Sequence, residues 1–373
     1  MDNRMGDAEA EREHRVTPLE LFFNLVVVFA LTQVTELMAD DLSWRGLGRG
    51  LLVLAAIWWA WTGYAWLTNT LEPEEGRVRA GMFAAMAAML VIALAVPYAF
   101  GADAVLFGIG YLVVHLLDVA LLAIAAGGDR DLRRVLMRIA PSAALAPLTI
   151  LAAGVVGGHW QVALWCVALV ILYTEPLIGL GRGWRVLPTH FAERYGLIVI
   201  IALGETIIAI GVGAHDVPLT LGPVSAAILG IVVIAALWWA YFDVVAVRTQ
   251  AELSRTSDDA RLWLARDLYS YLHLPMIAGI VLFALGAQET IAHVREPLAV
   301  VPAVALCGGL SLYFFAHVIL RVRLVFSLRR ATSERPAYVG PGRLASAIAM
   351  LVLIPAALTL PALASLALAA AVC

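Results

Sequence analysis

The chain has 373 residues, of which 62% are hydrophobic and only 14% are charged, and its net charge is −3. Soluble domains carry about 25% charged residues, so this composition excludes an ordinary soluble enzyme. A disordered chain needs low hydrophobicity and high net charge, so that class is excluded as well. All 25 basic residues are arginine, and the charge balance gives no indication of nucleic-acid binding.

Eleven apolar segments are each long enough for a membrane-crossing helix, which needs about 20 residues. They comprise residues 19–39, 47–68, 80–100, 104–126, 135–156, 160–181, 192–213, 221–247, 268–290, 298–320 and 344–370. Because they lack the two-residue alternation of barrel strands, we predict an all-α, polytopic membrane helical bundle. The last segment contains Pro355 and Pro361, which predicts either one kinked helix or two short segments.

The arginines predict the orientation of this bundle. When residues 1–16 are placed in the cytoplasm, 22 arginines fall on the cytoplasmic side and three, Arg45, Arg49 and Arg295, fall outside. Loops rich in arginine stay in the cytoplasm. We therefore expect a multi-pass protein of the cytoplasmic membrane with its N-terminus inside and its C-terminus outside.

An internal repeat is predicted from three matches that keep their order along the chain. They pair Phe23–Gln33 with Tyr195–Glu205, Ile57–Trp61 with Leu237–Tyr241, and Tyr111/His115 with Tyr313/His317. Two parallel five-helix repeats would then occupy residues 17–156 and 190–370, joined by a linking helix and loop at 157–189. Chance similarity among apolar segments is the alternative.

Motifs of several other chemistries are missing from the sequence. The cysteines Cys166, Cys307 and Cys373 are isolated, so we predict no disulfide framework and no structural zinc site. We also expect no other metal and no cofactor. A retinal Schiff base needs a lysine, and the chain has none. We also find no P-loop, no GxSxG elbow and no HExxH motif.

Ionisable residues within the segments are the candidate site residues, because each costs roughly 2.5–3.5 kcal/mol at membrane depth. Glu205 lies roughly ten residues inside its segment, about 15 Å deep. It is either a carboxyl that exchanges protons or a side chain that fixes helix packing. Gly204 and Gly211 beside it predict close approach of a neighbouring backbone. In the repeat, Glu205 corresponds to Gln33.

The first segment carries a polar stripe. Glu20 and Asn24 lie four residues apart and hence on one helical face, and Glu36 continues the polar side. Such a stripe is expected to line an interior path or to contact polar partners. Thr17 is a candidate N-cap, so Glu20 is alternatively an acidic residue of the first helical turn.

Two histidine faces and two further acidic residues complete the candidates. Tyr111, His115 and Asp118 share one face, and His317 occupies the equivalent position in the second half. They form either a proton relay or two structural histidines. Glu175 in the sixth segment is a further candidate. Glu193 and Arg194, beside His190, are expected to form surface pairs worth about 0–1 kcal/mol.

Two stretches resemble signatures of a known family. They are Val16-Thr17-Pro18-Leu19-Glu20-Leu21-Phe22-Phe23-Asn24, continuing to Gln33, and His190-Phe191-Ala192-Glu193-Arg194-Tyr195-Gly196, continuing to Thr206. Both are similar to motifs of the bacterial low temperature requirement A family. Asn24 departs from the pattern, which has Asp there, so a carboxylate role at this position is not carried over. The resemblance implies membership but no reaction or substrate, since the family is named for growth in the cold.

Carboxyls and histidines at membrane depth favour transport or permeation of a small solute or ion, with proton coupling as one form. The alternative is a membrane-embedded enzyme that uses the same residues on a lipid or isoprenoid, and we favour a non-enzymatic role. A third interpretation is a non-catalytic factor for growth in the cold. The expected partners are the lipid bilayer and a small solute, ion or lipid, and we expect no nucleic acid. A homo-oligomer is one of the assembly states that the sequence allows.

Overall fold

The computed structural model describes residues 16–71, 73, 76–179, 184, 186–215, 217–331 and 342–373. This part of the chain is helical, and its strand-type pairing is limited to one bridge between Pro297 and Pro361. The prediction of an all-α polytopic bundle is therefore confirmed. The predicted N-terminal segment 1–16 lies outside the described residues except for Val16.

The helices follow one another with short connections. They are α1 (Pro18–Ala39), α2 (Trp44–Leu67), α3 (Gly76–Ala95), α4 (Ala104–Ala126), α5 (Arg130–Val156), α6 (Gly158–Gly179), α7 (Pro188–Gly213), α8 (Leu221–Ala240), α9 (Val247–Arg255), α10 (Asp258–Ala265), α11 (His273–Ala292), α12 (Val300–Ala303), α13 (Gly309–Ala331), α14 (Gly342–Ala357) and α15 (Ala362–Val372). Within the described residues, ten helical stretches are long and apolar enough to cross a membrane. They correspond to the first ten predicted segments.

The eleventh predicted segment is broken into two short helices. α14 has 16 residues and α15 has 11, so each is shorter than the roughly 20 residues that a crossing needs. Pro361 stands at the N-cap of α15 with an extended ψ of 142°. Proline lacks the N–H that a continuing helix would use, and it disfavours helical geometry in the preceding residue. Of the two alternatives for this segment, the broken one is correct.

The outer surface of the helices is largely apolar. Large side chains such as Leu25, Val170 and Val352 are exposed on α1, α6 and α14. Apolar surface of this extent is unfavourable in water but is covered by lipid tails in a bilayer. The chain is thus a multi-pass integral membrane protein.

Two compact units divide the chain. The first contains the described residues of Met1–Ala30, Ala55–Ile198 and Leu253–Asp267. In it, α3 packs on α4, α4 on α5, and α5 on α6. The crossing of α4 and α5 is close, because a Cβ on Gly154 would lie 2.7 Å from the carbonyl atoms of Ala104. Small residues allow such approach between membrane helices.

The second unit contains Leu31–Leu54, the described residues of Val199–Glu252, and those of Leu268–Cys373. Here α11 packs on α13, α13 on α14, and α15 on α8. Two π-helical turns lie wholly within this unit, at Tyr241–Ala246 and Val304–Gly308. π-helical turns are rare in proteins, and those that occur often lie at functional sites.

Candidate functional site

The first unit holds a buried charge cluster that we call the Glu20 cluster: Glu20, His190 and Arg194. Arg194 Nη1 donates to Glu20 Oε1 at 2.5 Å, and His190 Nε2 lies 3.1 Å from Glu20 Oε2. The side chains of Glu20 and Arg194 are fully buried. The expectation that Arg194 forms a surface pair is therefore wrong. Only Glu193 is exposed, where its Oε2 accepts a hydrogen bond from the Val16 backbone N–H.

Glu20 also completes the start of α1. Its Oε2 accepts from the Thr17 backbone N–H at 2.9 Å, and the Thr17 hydroxyl accepts from the Glu20 N–H at 3.3 Å. This reciprocal arrangement is a capping box, which satisfies two backbone donors that the helix end leaves free. Glu20 is thus an acidic residue of the first helical turn that also contacts polar partners, because one carboxylate caps α1 and pairs with Arg194.

Asn24 lies one turn further along α1 and is fully buried. Its Oδ1 accepts from Trp61 Nε1 at 2.9 Å, and the Arg194 guanidinium carbon lies 5.9 Å from the centre of the Trp61 ring. Since the indole N–H can only donate, this contact fixes which way the Asn24 amide points. The polar stripe of α1 therefore contacts polar partners here.

A second polar site in the first unit surrounds a cavity of about 30 Å³. We call it the carboxyl cavity, and its ionisable lining residues are His115, Asp118 and Glu175. α4 supplies His115 and Asp118 from one face, and α6 supplies Glu175. A site of this volume holds about two water molecules. The described lining residues include two carboxyls and no arginine.

Backbone carbonyls bind two of the polar side chains that line the carboxyl cavity. His115 Nδ1 lies 3.0 Å from the Tyr111 carbonyl. A carbonyl can only accept, so Nδ1 carries the hydrogen and Nε2 is the ring atom that can take up a proton. The Tyr64 hydroxyl donates to the Val114 carbonyl at 2.8 Å. A Cβ on Gly63 would lie 3.2 Å from Asp118 Oδ2, so this glycine leaves room for the carboxyl.

The Ser142 hydroxyl connects Glu175 to α5. It lies 3.1 Å from Glu175 Oε2 and 2.8 Å from the Ile139 carbonyl. A hydroxyl has one hydrogen, so it can donate to only one of these oxygens at a time. Ser142 can therefore donate to an ionised Glu175 or accept a hydrogen bond from a protonated one.

Glu205 lies in the second unit and is fully buried. Thr35 and Glu36 of α1 are close enough to the Glu205 carboxyl to influence it electrostatically. The Thr35 hydroxyl, however, donates its hydrogen to the Leu31 carbonyl at 3.3 Å. Within the described part of the chain, neither carboxyl oxygen of Glu205 has a partner with hydrogen-bond geometry. Gln33 and Glu36 are partly exposed.

Two details of the environment of Glu205 differ from expectation. α7 begins at Pro188 and ends at Gly213, so Glu205 lies about 12 Å from the end of the helix and beyond its midpoint. A Cβ on Gly204 or Gly211 would meet nothing within 4 Å. The expected close approach of a neighbouring backbone at these two glycines is wrong.

A group of aromatic and histidine side chains packs together in the second unit. His317 Nδ1 lies 2.8 Å from the Tyr313 carbonyl, and the Tyr313 hydroxyl donates to the Leu237 carbonyl at 2.7 Å. His273 contacts the Tyr241 hydroxyl through Nε2 and the Leu268 carbonyl through Nδ1, both at 2.8 Å. In the sequence, only its place two residues before Pro275 marks His273, which is a weak signal for a functional residue.

The structure thus brings several of the candidates together. In the first unit it joins Glu20 to Arg194, and His115 and Asp118 to Glu175. In the second unit it places Glu205 near Glu36, and His317 near the π-helical turn that begins at Tyr241. Each histidine of the predicted pair, His115 and His317, bonds to the tyrosine one turn earlier on its own helix.

Comparisons with known proteins identify relatives but no activity. A family model described as Bacterial low temperature requirement A protein (LtrA) matches residues 15–373. The uncharacterized protein RA0937 of Rhizobium meliloti (strain 1021) is 32% identical over 308 residues, which cover 79% of this chain and 74% of that protein. No solved structure matches the chain.

Proposed function

The chain belongs to the bacterial low temperature requirement A protein family, and we propose that this family member mediates the passage of protons or small monovalent cations across the membrane. The observation that carries the proposal is the carboxyl cavity, where Asp118, Glu175 and His115 share a space of about 30 Å³. Carboxylate oxygens and an imidazole nitrogen are groups that exchange protons or coordinate cations. Their position inside a membrane bundle makes a functional role the default hypothesis.

The size of the cavity favours an ion over a lipid. Ligand pockets for organic molecules have volumes of about 300–1,000 Å³, whereas this cavity has room for about two waters. An isoprenoid or acyl chain does not fit such a space. We therefore favour permeation over the alternative of a lipid-modifying membrane enzyme.

The charges of the site also favour a cation. Asp118 acts electrostatically on Glu175, and two carboxylates in one low-dielectric space repel each other unless a proton or cation lies between them. None of the described lining residues supplies a positive guanidinium. The proton or cation itself is then the group that balances the two carboxyls.

The hydrogen-bond geometry supports a path for a proton through the cavity. A proton that arrives on Glu175 allows its carboxyl to donate to Ser142, which then directs its own hydrogen to the Ile139 carbonyl. Water in the cavity can pass the proton to Asp118 or to His115 Nε2. Glu205, in the second unit, is a further buried carboxyl able to hold a proton or cation.

The arginine distribution supports an orientation for this protein in the cytoplasmic membrane. With the N-terminus in the cytoplasm, 22 of the 25 arginines lie on that side. In that orientation α4 and α6 end in the cytoplasm, and Glu175 lies four residues before the end of α6 at Gly179. The carboxyl cavity would then lie nearer the cytoplasmic surface.

The test is ion flux through purified full-length protein in liposomes. Pyranine inside the liposomes reports protons while valinomycin and a potassium gradient impose the potential, and radioactive sodium serves as the second probe. We expect flux above that of protein-free liposomes. We expect Asp118→Asn and Glu175→Gln to reduce it at least tenfold, because each removes a titratable group without changing side-chain volume.

Two exposed acids give matched controls for that experiment. Asp40→Asn and Glu296→Gln make the same chemical changes at exposed positions outside the helices, so flux should stay at the wild-type level. The proposal fails if wild-type liposomes pass neither protons nor sodium faster than empty ones. It also fails if the Asp118 and Glu175 variants, monodisperse in detergent, conduct as the controls do.

A further inference from the structure

We propose that Arg248, Arg321 and Arg343 in the second unit form a binding site for a phosphate group. Arg248 is the second residue of α9, Arg321 lies in α13, and Arg343 is the second residue of α14. The three guanidinium groups are close enough to repel one another. Arg343 is repelled by Arg321 and by Arg248, and Arg321 is repelled by Arg248. We call them the arginine cluster.

The arginine cluster has no acidic counterpart among the described residues. Other described arginines form ion pairs, as Arg134 does with Asp131, Arg261 with Asp258 and Arg266 with Asp267. No carboxylate of the described chain pairs with the three cluster arginines. Three neighbouring positive charges without an anion are unfavourable, especially at the edge of a low-dielectric membrane region.

Two buried donors of the cluster are left without partners. Arg343 Nη2 donates to the carbonyl of Ala240, the last residue of α8, at 2.8 Å. Within the described residues, however, Arg343 Nη1 and Arg321 Nε are buried and have no hydrogen-bond partner. A buried N–H of a charged group without a partner costs free energy that a bound oxyanion would recover.

The face of α13 that carries Arg321 adds a third unpartnered atom. His317 lies four residues before Arg321, on the same helical face, and Arg321 and Arg343 both act on it. Its Nδ1 is bound to the Tyr313 carbonyl, and its buried Nε2 has no partner among the described residues. This nitrogen can accept a hydrogen bond from a protonated phosphate oxygen.

Phosphate fits the chemistry and the location of the cluster. Guanidinium groups bind phosphate oxygens through paired, charge-assisted hydrogen bonds. Arg321 lies five residues before the apolar stretch Val300–Phe326 ends, and Arg343 lies at the start of α14. Arginines at the ends of membrane helices are at the level of phospholipid headgroups. The phosphate is therefore that of an anionic lipid or a soluble phosphate. Both offer ionised phosphate oxygens to the guanidinium groups, whereas only a soluble phosphate or a phosphomonoester headgroup carries the P–OH that donates to His317 Nε2.

Thermal unfolding of the full-length protein, followed by tryptophan fluorescence in neutral detergent, tests this site with two probes. Inorganic phosphate is titrated against potassium chloride of matched ionic strength, and short-chain phosphatidylglycerol is titrated against short-chain phosphatidylcholine. We expect at least one probe to raise the unfolding temperature of the wild type. In Arg321→Gln and Arg343→Gln the apparent affinity should be roughly tenfold lower, since one charge-assisted contact is lost.

Arg295→Gln is the control, because Arg295 is exposed in the same unit, and it should titrate as the wild type does. A response to phosphatidylglycerol alone identifies a lipid headgroup as the ligand, and a response to inorganic phosphate identifies a soluble one. Among the described residues Arg321 has no hydrogen bond to a backbone carbonyl that its loss would break, so the Arg321→Gln variant decides if Arg343→Gln fails to fold. The proposal is overturned if neither probe stabilises the wild type more than its matched control. Equal titrations of wild type and Arg321→Gln overturn it as well.

Discussion

Glu20 and Arg194 are a charge pair that the surrounding helices remove completely from solvent. Taking two charges out of water is expensive, and the cost is offset only when geometry is good and further hydrogen bonds are made. Glu20 meets this condition through Arg194, His190 and the Thr17 backbone N–H. The pair is therefore tied to the start of α1 as well as to α7.

Glu20→Gln should destabilise the protein strongly, because it leaves the buried Arg194 without its counter-charge. Removal of one partner of a buried pair costs about 3–5 kcal/mol. Thermal unfolding in detergent measures the loss, and Glu193→Gln, at the neighbouring exposed position, should be nearly silent. The combined change Glu20→Gln with Arg194→Gln should recover part of the loss, since no unpaired charge remains. An equal or larger loss in the double variant would contradict this account of the pair.

Glu205→Gln should leave the unfolding temperature within about 2 °C of the wild type and reduce ion flux. The Glu205 carboxyl has no partner of hydrogen-bond geometry among the described residues, so the substitution breaks no hydrogen bond. Hydrogen bonds inside membranes in any case average only about 0.6 kcal/mol. The substitution does remove a group that exchanges protons. Wild-type flux in a folded Glu205→Gln variant would exclude this residue from the proposed permeation.

At the level of helices, α11 and α13 touch through two glycines. A Cβ on Gly279 would lie 2.6 Å from the Gly309 carbonyl oxygen, and a Cβ on Gly309 would lie 2.7 Å from the Gly279 carbonyl oxygen. Both contacts are with backbone, which cannot move aside as a flexible side chain can. Glycine at both positions is thus what allows the two helices to cross so closely.

Gly279→Val should separate α11 from α13 and destabilise the protein by about 1–3 kcal/mol or more, as overpacking does elsewhere. The matched control is Gly204→Ala in α7, where an added Cβ meets nothing within 4 Å. Unfolding temperatures of both variants in one detergent provide the comparison. A destabilisation by Gly204→Ala equal to that of Gly279→Val would contradict the role assigned to this crossing.

Most helices of this protein could be predicted from the sequence, because a long apolar run has no stable form in a bilayer other than a helix. The break between α14 and α15 was one of two predicted outcomes. Pro355 lies inside α14 whereas Pro361 stands at the start of α15, and the residue type alone does not distinguish the two. No pattern in the sequence predicts the π-helical turns at Tyr241–Ala246 and Val304–Gly308.

The candidate sites could be predicted only where their residues share one helix. The spacing of His115 and Asp118 placed both on one face of α4, and they do line one cavity. The pairing of Glu20 with Arg194 joins residues 174 positions apart, and hydropathy says nothing about such contacts. The arrangement of Ser142, Glu175 and the cavity depends on how α5 and α6 pack, which the sequence pattern does not specify.

Across the whole chain, the two Tyr/His pairs of the predicted repeat make similar local contacts. The Tyr111 hydroxyl donates to the Ala56 carbonyl at 2.9 Å, and the Tyr313 hydroxyl donates to the Leu237 carbonyl at 2.7 Å. The rings of Tyr111 and His115 are 4.4 Å apart, and those of Tyr313 and His317 are 4.3 Å apart. The tyrosine–histidine ring contact is the same in both halves, but the two accepting carbonyls differ by one position, because the predicted alignment pairs Leu237 with Ile57 and not with Ala56. The superposition of the two halves stays a prediction.

The orientation of the whole molecule is a prediction that labelling can check. In a background without Cys166, Cys307 and Cys373, a single cysteine at Arg133 should react with a membrane-impermeant maleimide only when the cytoplasmic side is accessible. A cysteine at Arg295 should react from the outside of intact cells. The opposite pattern would reverse the orientation, and labelling of both from one side would contradict the number of crossings between them.

Reversal-potential measurement on the reconstituted protein tests most directly whether the carboxyl cavity passes ions. With protons as the permeant ion, the reversal potential should shift by about 59 mV for each unit of pH difference across the membrane, and with a cation it should follow that cation's gradient. Asp118→Asn with Glu175→Gln should abolish this current while Asp40→Asn leaves it intact. A current that persists unchanged when both cavity carboxyls are neutral, or no current in the wild type, would contradict the account.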